Sequence, residues 1–240
     1  MIGSPLVLET VFRIGPVPIT RPVVTTWGIM AVMTIFCLFL RSRLSPAPGK
    51  LQTTAELVTG TIERQIEDVI QSDPRPYRAL IGTIFLYILI ANWCSLVPGV
   101  EPPTASIETD AALALIVLCA TVWFGIRVNG LGGYLKTFTQ PSWVMIPLNI
   151  IEQITRTFSL IIRLFGNIMS GIFVIGIILS LAGLFVPIPL MALDLLTGTV
   201  QAYIFAILAC VFIGAAIGEN RQASSPHASS RGDSQQRSNT

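Results

Sequence analysis

Six polar side chains run at helical spacing through one of the most apolar stretches of this sequence. Glu152, Arg156, Ser159, Arg163, Asn167 and Ser170 are separated by steps of four, three, four, four and three. Residues three and four apart share a face of an α-helix, so the six form one stripe. The opposite face carries Ile154, Phe158, Ile161, Phe165, Ile168 and Ile172, with Ile162 and Phe173 at its edge. A later stretch repeats the design more sparingly, with Asp194, Thr197 and Gln201 at steps of three and four. Charges inside a membrane helix cost about 2.5–3.5 kcal/mol each on insertion scales, so a stripe like this marks an ion path by default.

Arg163 is the sharpest of these signals. It sits among Leu160, Ile161, Ile162, Leu164 and Phe165, with no acid within one turn of its own helix. A guanidinium cannot realistically shed its proton, so this is a permanent positive charge in an apolar place. Asp194 is the one acid between Glu152 and Glu219, which makes it the expected partner of Arg163 across a helical hairpin. Glu152 and Arg156 are spaced to neutralise each other, so that pair reads equally as packing or as part of the path. Gly166, Ser170, Gly171, Gly176 and Gly183 cluster in the same region. They read either as close helix packing or as a flat surface past which another helix slides, and spacing does not separate the two.

These side chains need helices that cross a bilayer, and the composition provides them. Of 240 residues, 52% are hydrophobic and 12% charged, with a mean hydropathy of +0.71. Soluble domains carry about 25% charge. Apolar runs long enough to span the hydrocarbon core cover about 23–40, 79–99, 110–127, 144–182 and 187–217. The fourth, at about 1.5 Å per residue, is nearly twice as long as an upright crossing, so it must tilt, bend or lie partly along the membrane. Val186-Pro187-Ile188-Pro189 turns it back into the fifth. The fold class is therefore an all-α integral membrane protein with five spans and a long hairpin of the last two.

Charge sets the orientation. The segments 41–78 and 127–142 and the tail after 218 carry Arg41, Arg43, Lys50, Arg64, Arg75, Arg78, Arg127, Lys136, Arg221, Arg231 and Arg237. The alternate side has Arg13 and Arg21, and its loop at 100–109 has Glu101 and Glu108. Basic loops stay in the cytoplasm, which places residues 1–22 outside and the C-terminus inside. Residues 1–22 do not read as a cleavable leader. Residues 51–72 place Leu51, Ala55, Val58, Ile62, Ile66, Val69 and Ile70 at amphipathic-helix spacing, which suits a helix on the cytoplasmic surface. Residues 219–240 are polar and expected to be disordered. Cys37, Cys94, Cys119 and Cys210 lie in apolar runs without metal-ligand spacing and read as small buried hydrophobes. A net charge of +2 gives no reason to expect a nucleic-acid partner.

Ser159-Leu-Ile-Ile-Arg163-Leu-Phe-Gly-Asn167 closely resembles the signature of subunit a of F-type ATP synthases, the stator channel of the membrane sector. Gln201-Ala-Tyr-Ile-Phe205 is similar to that family's last-helix motif. Asn92-Trp-Cys-Ser-Leu-Val-Pro98, Pro103-Thr-Ala105, Ile14-Gly-Pro-Val-Pro18 and Thr26-Trp27 fit other family segments, in order along about residues 9–219.

The resemblance implies a bacterial inner-membrane subunit beside a ring of c subunits, held with the subunit b peripheral stalk and surrounded by lipid. It implies no cofactor, no metal and no bond chemistry of its own. No GxxxxGK followed by Ser or Thr occurs. H+ or Na+ would enter one aqueous half-channel, neutralise a ring carboxylate, ride around and leave by a second. Arg163 matches the family's essential arginine, which attracts the ionised ring carboxylate and separates the half-channels. Asn167, Asp194 and Gln201 match polar positions tied to the half-channels, and Glu152 a frequent acid near the cytoplasmic side. Arg156, Ser159, Ser170 and Thr197 are further candidates on the same faces. Many relatives place an acid or histidine where this chain has Ile172, which leaves Asp194 to do work usually shared by a pair. A self-contained transporter is the competing class; it predicts paired halves, and no internal repeat is visible.

Overall fold

The last helix, Pro187–Ala223 (α6), is the post around which the others assemble. In a computed structural model, residues 10–14, 17–42, 50–70, 73–96, 100, 102–139, 145–183 and 185–223 are described. The helices before it are Arg21–Ser42 (α1), Lys50–Ile70 (α2), Arg75–Trp93 (α3), Ile107–Thr139 (α4) and Met145–Ala182 (α5). α6 touches α2, α3, α4 and α5. Five of the helices are long and apolar enough to span a membrane: Arg21–Phe39, Arg75–Leu96, Ile107–Gly133, Ile146–Leu181 and Pro187–Ile217.

Two apolar cores form along α6. One joins Ile84, Ile88 and Ala91 of α3 with Leu113, Ala114 and Val117 of α4, Leu160 and Leu164 of α5, and Ala202, Phe205 and Ala209 of α6. The other joins Ile66 and Ile70 of α2 with Tyr77 and Ile81 of α3 and Ala206, Cys210, Ile213 and Ile217 of α6. The small residues Ala202, Ala206 and Ala209 let neighbouring helices approach this post closely, as small residues do in membranes. α1 docks loosely by comparison. Trp27, Met30, Val32, Ile35, Phe36 and Leu38 stay exposed, a surface that suits lipid.

Local sequence explains most boundaries. Asp73 accepts a hydrogen bond from the Arg75 amide at 3.1 Å, and the prolines of the Asp73-Pro-Arg-Pro76 run sit where a helix start needs no amide donor. α5 ends at Ala182 because Gly183 adopts φ +75°, the left-handed conformation that glycine accepts without penalty. Gly130, at φ +71°, breaks α4 near the end of its apolar run.

The structure departs from the sequence reading in several places. Residues Thr10–Ile14 and Val17–Thr20 (β1 and β2) form a short antiparallel hairpin in the N-terminal segment, with Arg13 opposite Pro18. The apolar stripe of α2 turns partly inward: Ile66 and Ile70 pack on α3 and α6, and Glu63 pairs with Arg78 of α3. α6 continues as a helix through Glu219 to Ala223, and the rest of the polar tail lies outside the described residues. Of the cysteines, Cys210 is buried and Cys94 half-buried, while Cys37 and Cys119 are exposed on helix faces.

At one end of the bundle Asn92 ties three elements together. Its amide donates to the Gly198 carbonyl at 2.8 Å, and its carbonyl oxygen accepts from the Thr104 hydroxyl at 3.0 Å. Thr104 lies in the short 3-10 turn Pro103–Ala105 and is fully buried. Asn92→Ala leaves that hydroxyl without an acceptor and is expected to cost roughly 1–3 kcal/mol. A thermal melt of the detergent-solubilised chain, read by circular dichroism, checks this; an unchanged midpoint contradicts it.

Candidate functional site

The polar stripe runs from Glu152 to Ser170, through the first two-thirds of α5. Its buried side is Leu160, Leu164 and Ile168, pressed into the bundle. Glu152, Ser159, Arg163 and Ser170 are exposed on the adjoining face, and Arg156 and Asn167 are half-buried. Ile154, Phe158 and Ile162 are exposed on the far side. Much of α5 is therefore left uncovered by its own chain.

The stripe borders an open groove of about 570 Å³ between α5 and α6. Glu152, Thr155, Arg156, Ser159 and Arg163 line one wall, with Leu208 and Phe212 of α6 on the other. Glu152 accepts a hydrogen bond from Arg156 one turn on, and the two form an ion pair. The Arg156 guanidinium also lies 5.4 Å from the centre of the Phe212 ring, a cation–π distance. Arg163 makes no salt bridge among the described residues. Its positive charge stands at the end of a mostly apolar groove that carries the Glu152–Ser159 side chains along one wall.

Asp194 is not its partner, contrary to the sequence reading. Asp194 sits against Gly171 of α5, so closely that a methyl carbon added to Gly171 would come within 2.7 Å of the Asp194 carboxyl carbon. Gly171 and Arg163 are eight residues apart, about 12 Å along a helix. The antiparallel register therefore brings the arginine level with Ala202 and its neighbour Gln201, two turns from Asp194. Ser95, in the 3-10 turn that follows α3, is a polar residue close to the Asp194 carboxylate. Thr197 turns its hydroxyl back onto the Asp194 carbonyl at 3.0 Å, and Ser170 does the same to Asn167 at 2.9 Å.

Gln201 is buried, and its Nε2 has no hydrogen-bond partner among the described residues; the same holds for Asn167 Nδ2. The polar residues thus separate into two groups. Glu152, Arg156 and Ser159 share the groove that leads to Arg163. Asp194, Thr197, Ser170 and Ser95 gather toward the α5–α6 turn. Arg163, Asn167 and Gln201 lie between them.

A family model described as ATP synthase A chain matches residues 23–214, nearly the whole helical bundle. The chain belongs to the ATP synthase A chain family. ATP synthase subunit a 2 of Bradyrhizobium sp. is 56% identical over 218 residues, covering 91% of this chain and 98% of the relative. ATP synthase subunit a of Albidiferax ferrireducens is 46% identical, covering 84% and 88%. ATP synthase subunit a 1 of Chlorobium luteolum is 43% identical, covering 86% and 93%. Relatives this alike and this fully covered make the chain an F-type ATP synthase subunit a of the membrane sector, with its five membrane-capable helices in ion transport and ATP synthesis.

Within this A-chain fold, sequence reasoning gave no chemical role to Asn92, Ser95, Thr104 or Asp110. The first three stand in motif segments but away from the stripe. Asp110 opens the apolar run 110–127, and only packing reveals that it is fully buried.

Proposed function

We propose that this chain is the stator ion channel of its synthase, with two half-channels separated by Arg163. The observation that carries the reading is the exposed Arg163 guanidinium, unpaired among the described residues, at the groove between α5 and α6. The N-terminus lies outside and the C-terminus in the cytoplasm of a bacterial inner membrane, as the basic loops favour. The groove of Glu152, Arg156 and Ser159 then opens inward, and the Asp194 end opens outward. Neither half alone crosses the bilayer.

The exposed face of α5 meets the ring of c subunits. A ring carboxylate arriving opposite Arg163 is held in its ionised form, because a nearby positive charge favours the anion and displaces its bound cation. Rotation carries the carboxylate onward to the other half-channel, where a fresh H+ or Na+ neutralises it. The membrane field supplies the bias, about 2.3 kcal/mol per charge per 100 mV. Arg163 blocks a direct leak because a cation entering its neighbourhood meets a charge that cannot be neutralised. The chain catalyses no bond chemistry, and subunit b of the peripheral stalk holds it still against the turning ring.

A stator needs its ring, whereas a self-contained transporter does not. The purified chain in liposomes is expected to move neither protons nor Na+ down an imposed gradient. The assembled membrane sector in the same liposomes is expected to conduct one of them. Fast, saturable flux through the chain alone would refute the stator reading.

A further inference from the structure

We propose that Asp110 is a second ion-carrying acid of the transport path, reached through water held between α4, α5 and α6. The proposal deepens the half-channel reading above and rests on it. Asp110 is the fourth residue of α4, fully buried, and neither carboxyl oxygen has a hydrogen-bond partner among the described residues. The hydroxyls around it are already committed. Ser106 donates to the Pro103 carbonyl at 2.9 Å and lies 2.7 Å from the Thr109 hydroxyl. Thr104 donates to Asn92. Tyr87 of α3 donates to Thr26 at 3.2 Å. No salt bridge reaches Asp110 among the described residues either.

A buried acid with a purely structural role is paired or hydrogen-bonded, because an unsatisfied polar group in a low dielectric is costly. Asp110 is neither, so its oxygens are open to water or to a cation. Two other side chains share that condition among the described residues: Asn167 Nδ2 on α5 and Gln201 Nε2 on α6. Asp110 supplies acceptors only, and the two amides supply donors. They stand on three helices that pack against one another. One file of water would satisfy all of them, since water donates and accepts at once. Asn167 and Gln201 flank the level of Arg163, so this file leads from Asp110 toward the arginine. The incoming cation binds an Asp110 oxygen, passes to the water on the amide side, and leaves the carboxylate as it was. The outward half of the path then has acids on two helices, Asp194 on α6 and Asp110 on α4, while the inward groove has Glu152 on α5.

The test uses the whole synthase in inside-out vesicles, with ATP-driven uptake followed by a pH-sensitive dye and by radioactive sodium. Rates are normalised to assembled complex on native gels. Asp110→Asn, which keeps shape but carries no ion, is expected to lower uptake about a hundredfold or more, the low end of what a positioned proton-transfer group contributes. Asp110→Glu, which keeps the acid, is expected to retain most of it. Uptake by assembled Asp110→Asn within about twofold of the unsubstituted complex overturns the proposal, as does equal loss in both assembled variants. If Asp110→Asn does not assemble, the unsubstituted complex is treated with a hydrophobic carbodiimide, which modifies protonated acids in apolar surroundings. An adduct on the Asp110 peptide by mass spectrometry supports the proposal, and its absence overturns it. Arg163→Ala is run alongside. Intact uptake there defeats the half-channel reading itself, whereas lost uptake there with normal Asp110→Asn defeats this inference alone.

Discussion

Arg163→Ala is expected to abolish coupled ion transport by the assembled synthase while leaving the chain in the membrane. The side chain is exposed beside the groove and takes no part in either apolar core, so its removal opens no cavity. What disappears is the charge. Two unit charges 4 Å apart attract by about 4 kcal/mol at an effective dielectric of 20, which corresponds to roughly three powers of ten in an equilibrium or a rate. Without that attraction the ring carboxylate has no reason to release its cation at this point, and ATP-driven uptake falls to background. The barrier between the half-channels falls as well, so passive leak through the membrane sector is expected to rise. Arg163→Lys is expected to rescue little, because an ammonium is strongly hydrated, lacks the planar fork, and gives up its proton when desolvated. Vesicle uptake and passive leak, each measured per assembled complex, check both halves of this expectation. Normal ATP-driven uptake by Arg163→Ala would contradict it.

The residues that make this prediction possible were readable from spacing alone, and the reason is physical. A membrane span must be apolar over a fixed length, so spans announce themselves. The run read as 144–182 is the helix Met145–Ala182, and the amphipathic stretch 51–72 is the helix Lys50–Ile70. A polar stripe within such a run keeps its helical period because helix geometry is local. Relations between helices are not local. Arg163 and Asp194 looked like partners because each lacked another, but the register of α5 against α6 is set by where Asp194 seats on Gly171. Asp110 drew no reading from the sequence, and its burial is a matter of packing at the start of α4, where the Pro103–Ala105 turn meets α1, α3, α4 and α5. The N-terminal hairpin escaped notice because strands of five and four residues with a proline inside are too short for alternation to register. The α2 stripe was legible as amphipathic, but a stripe cannot say whether it faces lipid or protein.

Gly171→Ala is expected to disable transport by moving Asp194, and it separates the two readings of the small-residue cluster. The added methyl group would overlap the Asp194 carboxylate, with Oδ1 nearer still than the 2.7 Å contact to its carboxyl carbon. Distances under 3 Å between such atoms do not persist, so something must give. Asp194 is short, with two side-chain torsions, and sits on a helix held along its length by α3, α4 and α5. Either the carboxylate swings away from its seat near Ser95, or α5 and α6 part at this point. Overpacking of this kind costs typically 1–3 kcal/mol. The chain is expected to survive that with some loss of assembled complex. Transport per complex is expected to fall by up to about a hundredfold, the scale on which an ångström of misplacement costs a transfer group its efficiency. Gly176→Ala is the matched control. It lies on the same helix away from the arginine face, with nothing within 4 Å of the added carbon. If the glycines serve as a flat sliding surface in general, both substitutions harm transport alike. If Gly171 is small because a carboxylate occupies the space, only Gly171→Ala does. Normal uptake by an assembled Gly171→Ala complex would show that the seat of Asp194 has no part in carrying the ion.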